Sequence, residues 1–496
     1  MTRYLNMTRY TQAGRFKARA GCVAAVIAGA VAIVVAQSSS SPAPASTLKP
    51  NSRLPLAEIR RHVDRQWVRD AATRDLLDYW VRNSVEPNGF IQENLDRQWK
   101  PWGTQREASL NGQGRQLYSM AVGYEMTRSK EHRDALIRGM DFLLKMRDLE
   151  YGGYYDRVTP ELKVINENKT GFSSFALYSL AIAGRVTGEK KYLDAAMVLF
   201  REVRDKMRDG PFIGSGSYSR DFMQRMAGRG GGRGPTTGTA PPAVGAPGSA
   251  PGPAGRAGAG AQGGAGAAFG GAARRYGVNL HMFEALLALY EATKSEEVWY
   301  EIGQELTAIE RLFDYIIGYF PEGYDENWKP VGNPSGNPGH LFEWASLLSR
   351  AVELGADPKF IQLGSRNLDL GLKSYNDAVG GLGGVNASGQ PSQMLWWPQC
   401  EVIKATANYA ILHGRSELWP YFHKTLDFVK KEYFDTEHGG WFPNFVPGQP
   451  RSERGPSAFN KGSVDGPEWG AYHQISMYED LWRITNPDYK AWPTRR

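Results

Sequence analysis

Two His-x-x-Glu pairs are the first sign of chemistry in this 496-residue chain. Asn279-Leu280-His281-Met282-Phe283-Glu284 opens one stretch of helical periodicity, and Gly339-His340-Leu341-Phe342-Glu343 opens another. Residues three apart on a helix share a face, so each pair aims an imidazole and a carboxylate the same way. That face is otherwise filled by Met, Phe and Trp. Trp396-Trp397-Pro398-Gln399-Cys400-Glu401 opens a third stretch, and Tyr472-His473 sits in the last. Ionisable groups on near-apolar faces are costly unless a polar pocket collects them. Imidazoles titrate near neutral pH, so the pattern points to proton transfer. Trp396 and Trp397 with Glu401 suit a sugar ring, by stacking and by binding its hydroxyls. Arg115, beside glycines at a helix start, can project into a pocket and meet a developing oxyanion. The stretch from Lys169 through Phe172 to Phe175 begins a further helix and is expected to add pocket wall. The remaining histidines, His62, His132, His413, His423 and His438, are read as structural.

Helices must position these groups, because the helical signal begins near residue 55 and rarely stops. Apolar residues recur at helical spacing through 55–84, 113–128, 132–148, 170–187, 190–207, 277–293 and 297–318. They do so again through 340–354, 357–373, 397–412, 416–433 and 469–485. Strand-type alternation is confined to short patches near turns. Gly152-Gly153-Tyr154, Gly383-Gly384-Val385 and Gly439-Gly440-Trp441 each follow a helix pair. Glycine pairs permit turns with positive φ, after which an apolar side chain can fold back toward the centre. A helix-pair unit repeated about six times fits a closed toroid of hairpins better than an open solenoid, whose repeats resemble one another more closely. The expected fold is all-α, a single (α/α)6 barrel over 53–490.

Composition bounds the rest. Hydrophobic residues make up 41% of the chain, enough for a large core, and Trp is abundant at 14. The net charge of +7 misleads: residues 1–36 carry +5 and residues 225–275 carry +6, so the remainder is mildly acidic at −4. That argues against a nucleic-acid groove. Residues 1–36, basic and then apolar, read as an export signal, with an uncleaved anchor as the alternative. The expected location is periplasmic or extracellular, with no membrane partner beyond such an anchor. Residues 37–52 form a Ser/Pro/Ala linker. Of the two cysteines, Cys22 lies in the signal, which leaves Cys400 unable to form a staple or a Cys-based metal site. Residues 227–273, nearly all Gly, Ala, Pro, Ser and Thr, are expected to be a disordered insertion just before the helix of His281.

Taken together, the motifs resemble the N-acylglucosamine 2-epimerase family, which includes cellobiose 2-epimerases and aldose–ketose isomerases. The matching elements are Arg115-Gln116-Leu117-Tyr118, Asn279 through Glu284, Gly339 through Glu343, Trp396 through Glu401, and Tyr472-His473, spread over about residues 55–489. The resemblance implies an (α/α)6 barrel with a cofactor-independent sugar site at one mouth, in a monomer or homodimer. It implies His340 and His473 as the acid/base pair acting at C2 through an enediolate, and Arg115 and His281 as partners for oxygens or ring opening. Glu284, Glu343 and Glu401 would orient imidazoles or bind hydroxyls, and Asn279, Trp396 and Trp397 would bind the sugar. Two departures touch the substrate shell. Gln474-Ile475-Ser476 stands where the family often has an arginine, and Phe172 where a tyrosine is common. Three other readings fit parts of the pattern: a metal-dependent enzyme using the His-x-x-Glu pairs, an (α/α)6 glycoside hydrolase or lyase using two carboxylates, and a catalytically silent sugar binder.

Overall fold

The computed structural model describes residues 52–103, 106–226, 274–275, 280–331, 337–385, 389–450, 461 and 470–490. The expected signal, most of the linker, the 227–273 insertion and Asn279 lie outside these residues. All described residues belong to one unit, Ser46–Arg496.

Six inner helices form a closed ring: α4 (Leu110–Thr127), α6 (Ser173–Thr187), α8 (Leu280–Thr293), α10 (Pro338–Glu353), α12 (Trp396–His413) and α14 (Tyr472–Ile484). Each packs on the next, and α14 returns to α4. The outer layer comprises α5 (Lys130–Lys145), α7 (Lys190–Lys206), α9 (Glu296–Leu312), α11 (Lys359–Leu372) and α13 (Trp419–Glu432). Its sixth member is the run α2 (Arg65–Ala72), a π turn (Thr73–Leu77) and α3 (Asp78–Ser84), preceded by the short α1 (Leu56–His62). This is the (α/α)6 barrel. Among the described residues no helix is long and apolar enough to cross a membrane.

The two layers differ in pattern for a physical reason. An outer helix buries one stripe; α5 buries His132, Ala135, Leu136, Gly139, Met140, Phe142 and Leu143, the i, i+3, i+4 recurrence of an amphipathic helix. An inner helix is enclosed on all sides. On α12 every residue from Gln399 to His413 is buried, so any polar group it carries must find a partner inside the protein.

Connections alternate. Inner helices lead to outer ones through tight turns with left-handed residues at Arg128, Gly188, Lys294 and Gly414. Outer helices return through long loops with two- and three-residue antiparallel strands, such as Ala108–Ser109 on Arg157–Val158. These loops repeat one device. The side chains of Asp148, Asp314, Asn376 and Asp435 each accept bonds from backbone amides two and three residues on. Gly152-Gly153 and Gly439-Gly440 take positive φ and turn Tyr154 and Trp441 inward, as expected. Gly383-Gly384 also take positive φ, but Val385 after them is exposed rather than turned inward. The equivalent turn there is Gly380-Gly381, which buries Leu382. Periodicity also overran at α9, which stops at Leu312 rather than 318. Phe313 is extended, and Asp314 caps the turn that follows.

One loop carries the expected insertion. Its two described flanks meet on Asp209: Arg225 Nη2 lies 2.8 Å from Oδ2, and Arg274 Nε donates to Oδ1 at 3.0 Å.

Inner helices approach closely where they carry glycine. A Cβ on Gly114 of α4 would stand 2.7 Å from the backbone carbonyl carbon of Phe175 on α6, whereas one on Gly303 of α9 meets nothing within 4 Å. Gly114→Ala is expected to destabilise the barrel by about 1–3 kcal/mol through overpacking. Gly303→Ala should instead stabilise it by about 0.5–1 kcal/mol through helix propensity. Urea unfolding of both variants checks this, and shifts of the same sign would refute the close-approach argument.

Candidate active site

The groups singled out by type and spacing lie in the first two turns of inner helices, so the ring brings them to one mouth. Ser109 caps α4 by accepting from Gly112 N at 2.9 Å. Buried Glu93 holds that cap through Ser109 N (2.9 Å) and Oγ (2.7 Å), which fixes where Arg115 emerges. Asn337 caps α10 and Pro338 occupies its first turn, placing His340. Converging helix N-termini direct positive dipole ends at this mouth, a setting suited to an anion.

Arg115 stands at the centre. Its Nε donates to Asn111 Oδ1 at 2.9 Å, and its two terminal nitrogens lie 3.4 Å from His473 Nε2 and His281 Nε2. The guanidinium is sandwiched over Phe175 (4.2 Å) and Tyr472 (4.5 Å). Such planar stacking favours arginine over lysine.

His473 is oriented from below. Its Nδ1 lies 2.8 Å from Glu401 Oε1, and Glu401 Oε2 lies 2.8 Å from Lys404 Nζ. Burial pushes Glu401 upward, but Lys404 and the His473 bond outweigh it and hold the carboxylate at about 2. Glu401 is therefore an acceptor, Nδ1 carries the proton, and Nε2 faces the site with its lone pair. Burial, reinforced by Arg115 and His281 against the pull of Glu401, lowers His473 to about 3.

His340 is in the opposite state. Burial works against its charge, yet Glu322, whose Oε1 lies 2.9 Å from Nδ1, raises it to about 9. The His-x-x-Glu spacing of residues 340 and 343 suggests Glu343 as its neighbour. The structure instead pairs His340 with Glu322, from the loop before α10. Glu343 lies 3.7 Å from His281 Nδ1, and its two oxygens have no hydrogen-bond partner among the described residues. Burial, then repulsion from Glu401, raises Glu343 to about 8, so it is a neutral carboxyl at pH 7. The other pair behaves as its spacing suggests: His281 Nδ1 lies 3.4 Å from Glu284 Oε2, which also accepts from Tyr472 Oη. Burial, then Arg115, keeps His281 well below its ordinary value.

Trp397 joins the two differently charged imidazoles, its ring centroid 5.3 Å from His340 and 5.2 Å from His473. Gly339 makes room for it, since a Cβ there would meet the indole at 2.4 Å. Trp396 packs edge-on to His473 at 5.6 Å and is itself buried. Adjacent helix residues point about 100° apart, so the half-buried Trp397 is the indole that can stack a ligand.

The 169–175 stretch divides. Lys169 pairs with buried Asp148 at 3.0 Å and is no pocket wall; α6 begins at Ser173, and Phe175 is the residue that reaches the site. The histidines read as structural have other partners: His132 with Ser129, His413 with Ser349, His62 with His423, and His438 beside Glu437. Glu322, Lys404 and Asn111 escaped the sequence reading. Lys404 left a usable signal, a charge three residues from Glu401 on a helix otherwise apolar; Glu322, in a loop, left none.

Two clusters, His281/Glu284/Glu343 and Glu343/Glu401/His473, each bring three donor atoms within 4.8 Å of one another, but Lys404 and Arg115 already supply the positive charge beside them. A cation there would compete with Lys404 for Glu401 and face the guanidinium of Arg115.

The N-acylglucosamine 2-epimerase (GlcNAc 2-epimerase) family model matches residues 89–218 and 265–458. The chain is 32% identical over 150 residues to a mannose-6-phosphate isomerase of Rhizobium meliloti, a stretch covering 28% of this chain and 38% of that protein. The chain thus spans less than half the length of that curated relative. It is 19% identical over 394 residues to a cellobiose 2-epimerase of Bacteroides fragilis, covering 76% of this chain and 90% of that one. A cellobiose 2-epimerase structure from Spirochaeta thermophila matches with a TM-score of 0.68 at 19% identity, over 86% of this chain and 98% of that one. This chain belongs to the N-acylglucosamine 2-epimerase family and folds as an (α/α)6 barrel.

Proposed function

We propose that the chain interconverts a reducing mono- or disaccharide with its C2 epimer or its ketose through an enediolate. One observation carries this reading: His473 and His340 both lie against Trp397, at 5.2 and 5.3 Å between ring centroids, each tied to its own carboxylate and shifted in opposite directions by its neighbours. A neutral imidazole can accept the C2 proton while an imidazolium across the pocket can donate one.

In the open-chain sugar the C1 carbonyl acidifies C2–H. His473 Nε2 takes that proton in one direction, and Glu401 stabilises the imidazolium that forms. The electron pair moves onto the C1 oxygen, where Arg115 and the helix N-termini stabilise the enediolate. A proton from His340 to the opposite face of C2 gives the epimer; a proton delivered to C1, with loss of the O2 proton, gives the ketose. Neutral Glu343 can donate to a sugar oxygen during ring opening, with His281 beside it. Arg115 and Lys404 are both engaged by protein partners, which favours an unphosphorylated sugar over a phosphorylated one. With the export signal read from the sequence, that sugar is met outside the cytoplasm.

The test is a panel of reducing sugars in D2O, read by mass spectrometry and NMR. Deuterium should enter at C2 of the epimer or C1 of the ketose, and His340→Ala and His473→Ala should each cost at least about 10²-fold in kcat/KM. Turnover without deuterium uptake would rule out the enediolate, and release of a monosaccharide from a disaccharide would point to hydrolysis.

The pH profile gives a second expectation. His340 is protonated below about 9, so kcat/KM should hold through neutral pH and fall as pH rises through about 9. In Glu322→Gln the largest support is gone while burial remains, which should lower His340 from about 9 and draw the alkaline fall down with it. Histidine NMR titration and the pH–rate profile must move together; an unmoved alkaline limb would exclude His340 as the acid.

A further inference from the structure

Beneath His473 the helices α12 and α14 exchange two polar contacts one turn apart. Glu401 of α12 meets His473 of α14 at 2.8 Å, and three residues on, Lys404 of α12 meets Ser476 of α14 at 3.0 Å. Lys404 also closes back on Glu401 at 2.8 Å. All four side chains are buried, Glu401 completely. On its far side Lys404 borders a cavity lined also by Glu284, Glu291, Ser346, Glu479 and Arg483. Its named partners are therefore protein groups below the imidazole.

We propose that Lys404 is a positioning residue for the reaction: held between Glu401 and Ser476, it fixes Glu401 as an acceptor and so helps His473 present an unprotonated Nε2 toward Arg115 and the site. The argument rests on the reading of His473 as a proton-transfer group. A fully buried carboxylate that loses its nearest counter-charge takes up a proton more readily. A protonated Glu401 donates its O–H to the nearer imidazole nitrogen, Nδ1. The ring must then carry its own proton on Nε2, the nitrogen facing the site, where it can no longer accept one from carbon. One ammonium that meets the imidazole only through Glu401 thus acts, together with Arg115 whose terminal nitrogen lies 3.4 Å from Nε2, on which of its nitrogens is basic. A tautomer error of this kind has a large catalytic cost even when geometry is intact.

The experiment uses the purified chain with 15N-labelled histidine, the His473 signals being assigned by their loss in His473→Asn. In the parent chain the shifts should report Nδ1–H and an unprotonated Nε2. In Lys404→Met they should move toward Nε2–H, while kcat falls at least about 10²-fold and KM stays within about threefold. Lys404→Gln keeps a donor without the charge and should behave the same; it decides the matter if the Met variant does not fold. Combining Lys404→Met with Glu401→Gln should lose no more than Glu401→Gln alone. A folded variant that keeps the parent tautomer would overturn the proposal, as would additive losses. If the parent chain turns over no sugar, the functional reading fails, while a tautomer change in the Lys404 variants would still establish the role of Lys404.

Discussion

The barrel depends on one constraint, that charges on the enclosed faces of inner helices are largely withdrawn from water and must be paired inside the protein. Glu401 shows it most plainly, a carboxylate with no exposed surface held between an imidazole and an ammonium. The same rule runs down the axis. Glu291 meets Arg350 at 2.6 Å, Arg350 and Arg483 both meet Glu353, and Tyr118 donates to Glu479. Buried pairs of this kind contribute little net stability, yet breaking one leaves an expensive lone charge. They therefore lock the rotation of each inner helix relative to its neighbours, and with it the direction of every catalytic candidate.

Burial sets the electrostatics in a way exposure could not. In water the histidines would titrate together and the glutamates would all be ionised. Enclosed, they separate: His340 above its ordinary value, His281 and His473 below, Glu401 low and Glu343 high. The sorting follows from which neighbour each group meets, Glu322, Arg115 or Lys404. Acid and base roles thus come from the packing of a few polar contacts rather than from differences of residue type.

Much of this was legible in the sequence, because helical periodicity survives on outer helices and because His, Glu and Trp are conspicuous on inner ones. The helix starts at 281, 340, 396 and 473 were readable for that reason. Pairing was not. Spacing on one helix establishes a shared face, and it named the right neighbour for His281; for His340 the partner came from a loop, where no period links residue 322 to residue 340. The same limit applies to Gly383-Gly384, which looks like the other glycine pairs until Asn376 shows where the turn begins. Lys404 brings a positive charge onto Ser476 from the adjacent helix across 72 residues, a pairing that spacing within one helix does not reveal.

Asp209 carries a consequence for how such a chain can change over time. Its two oxygens receive Arg225 from one side and Arg274 from the other, so both arms of this loop are held on one carboxylate at its base. The family match itself breaks off at 218 and resumes at 265. A clasp at the stem fixes where the chain leaves the barrel and where it returns, so a change of length between those two points need not shift the helices on either side.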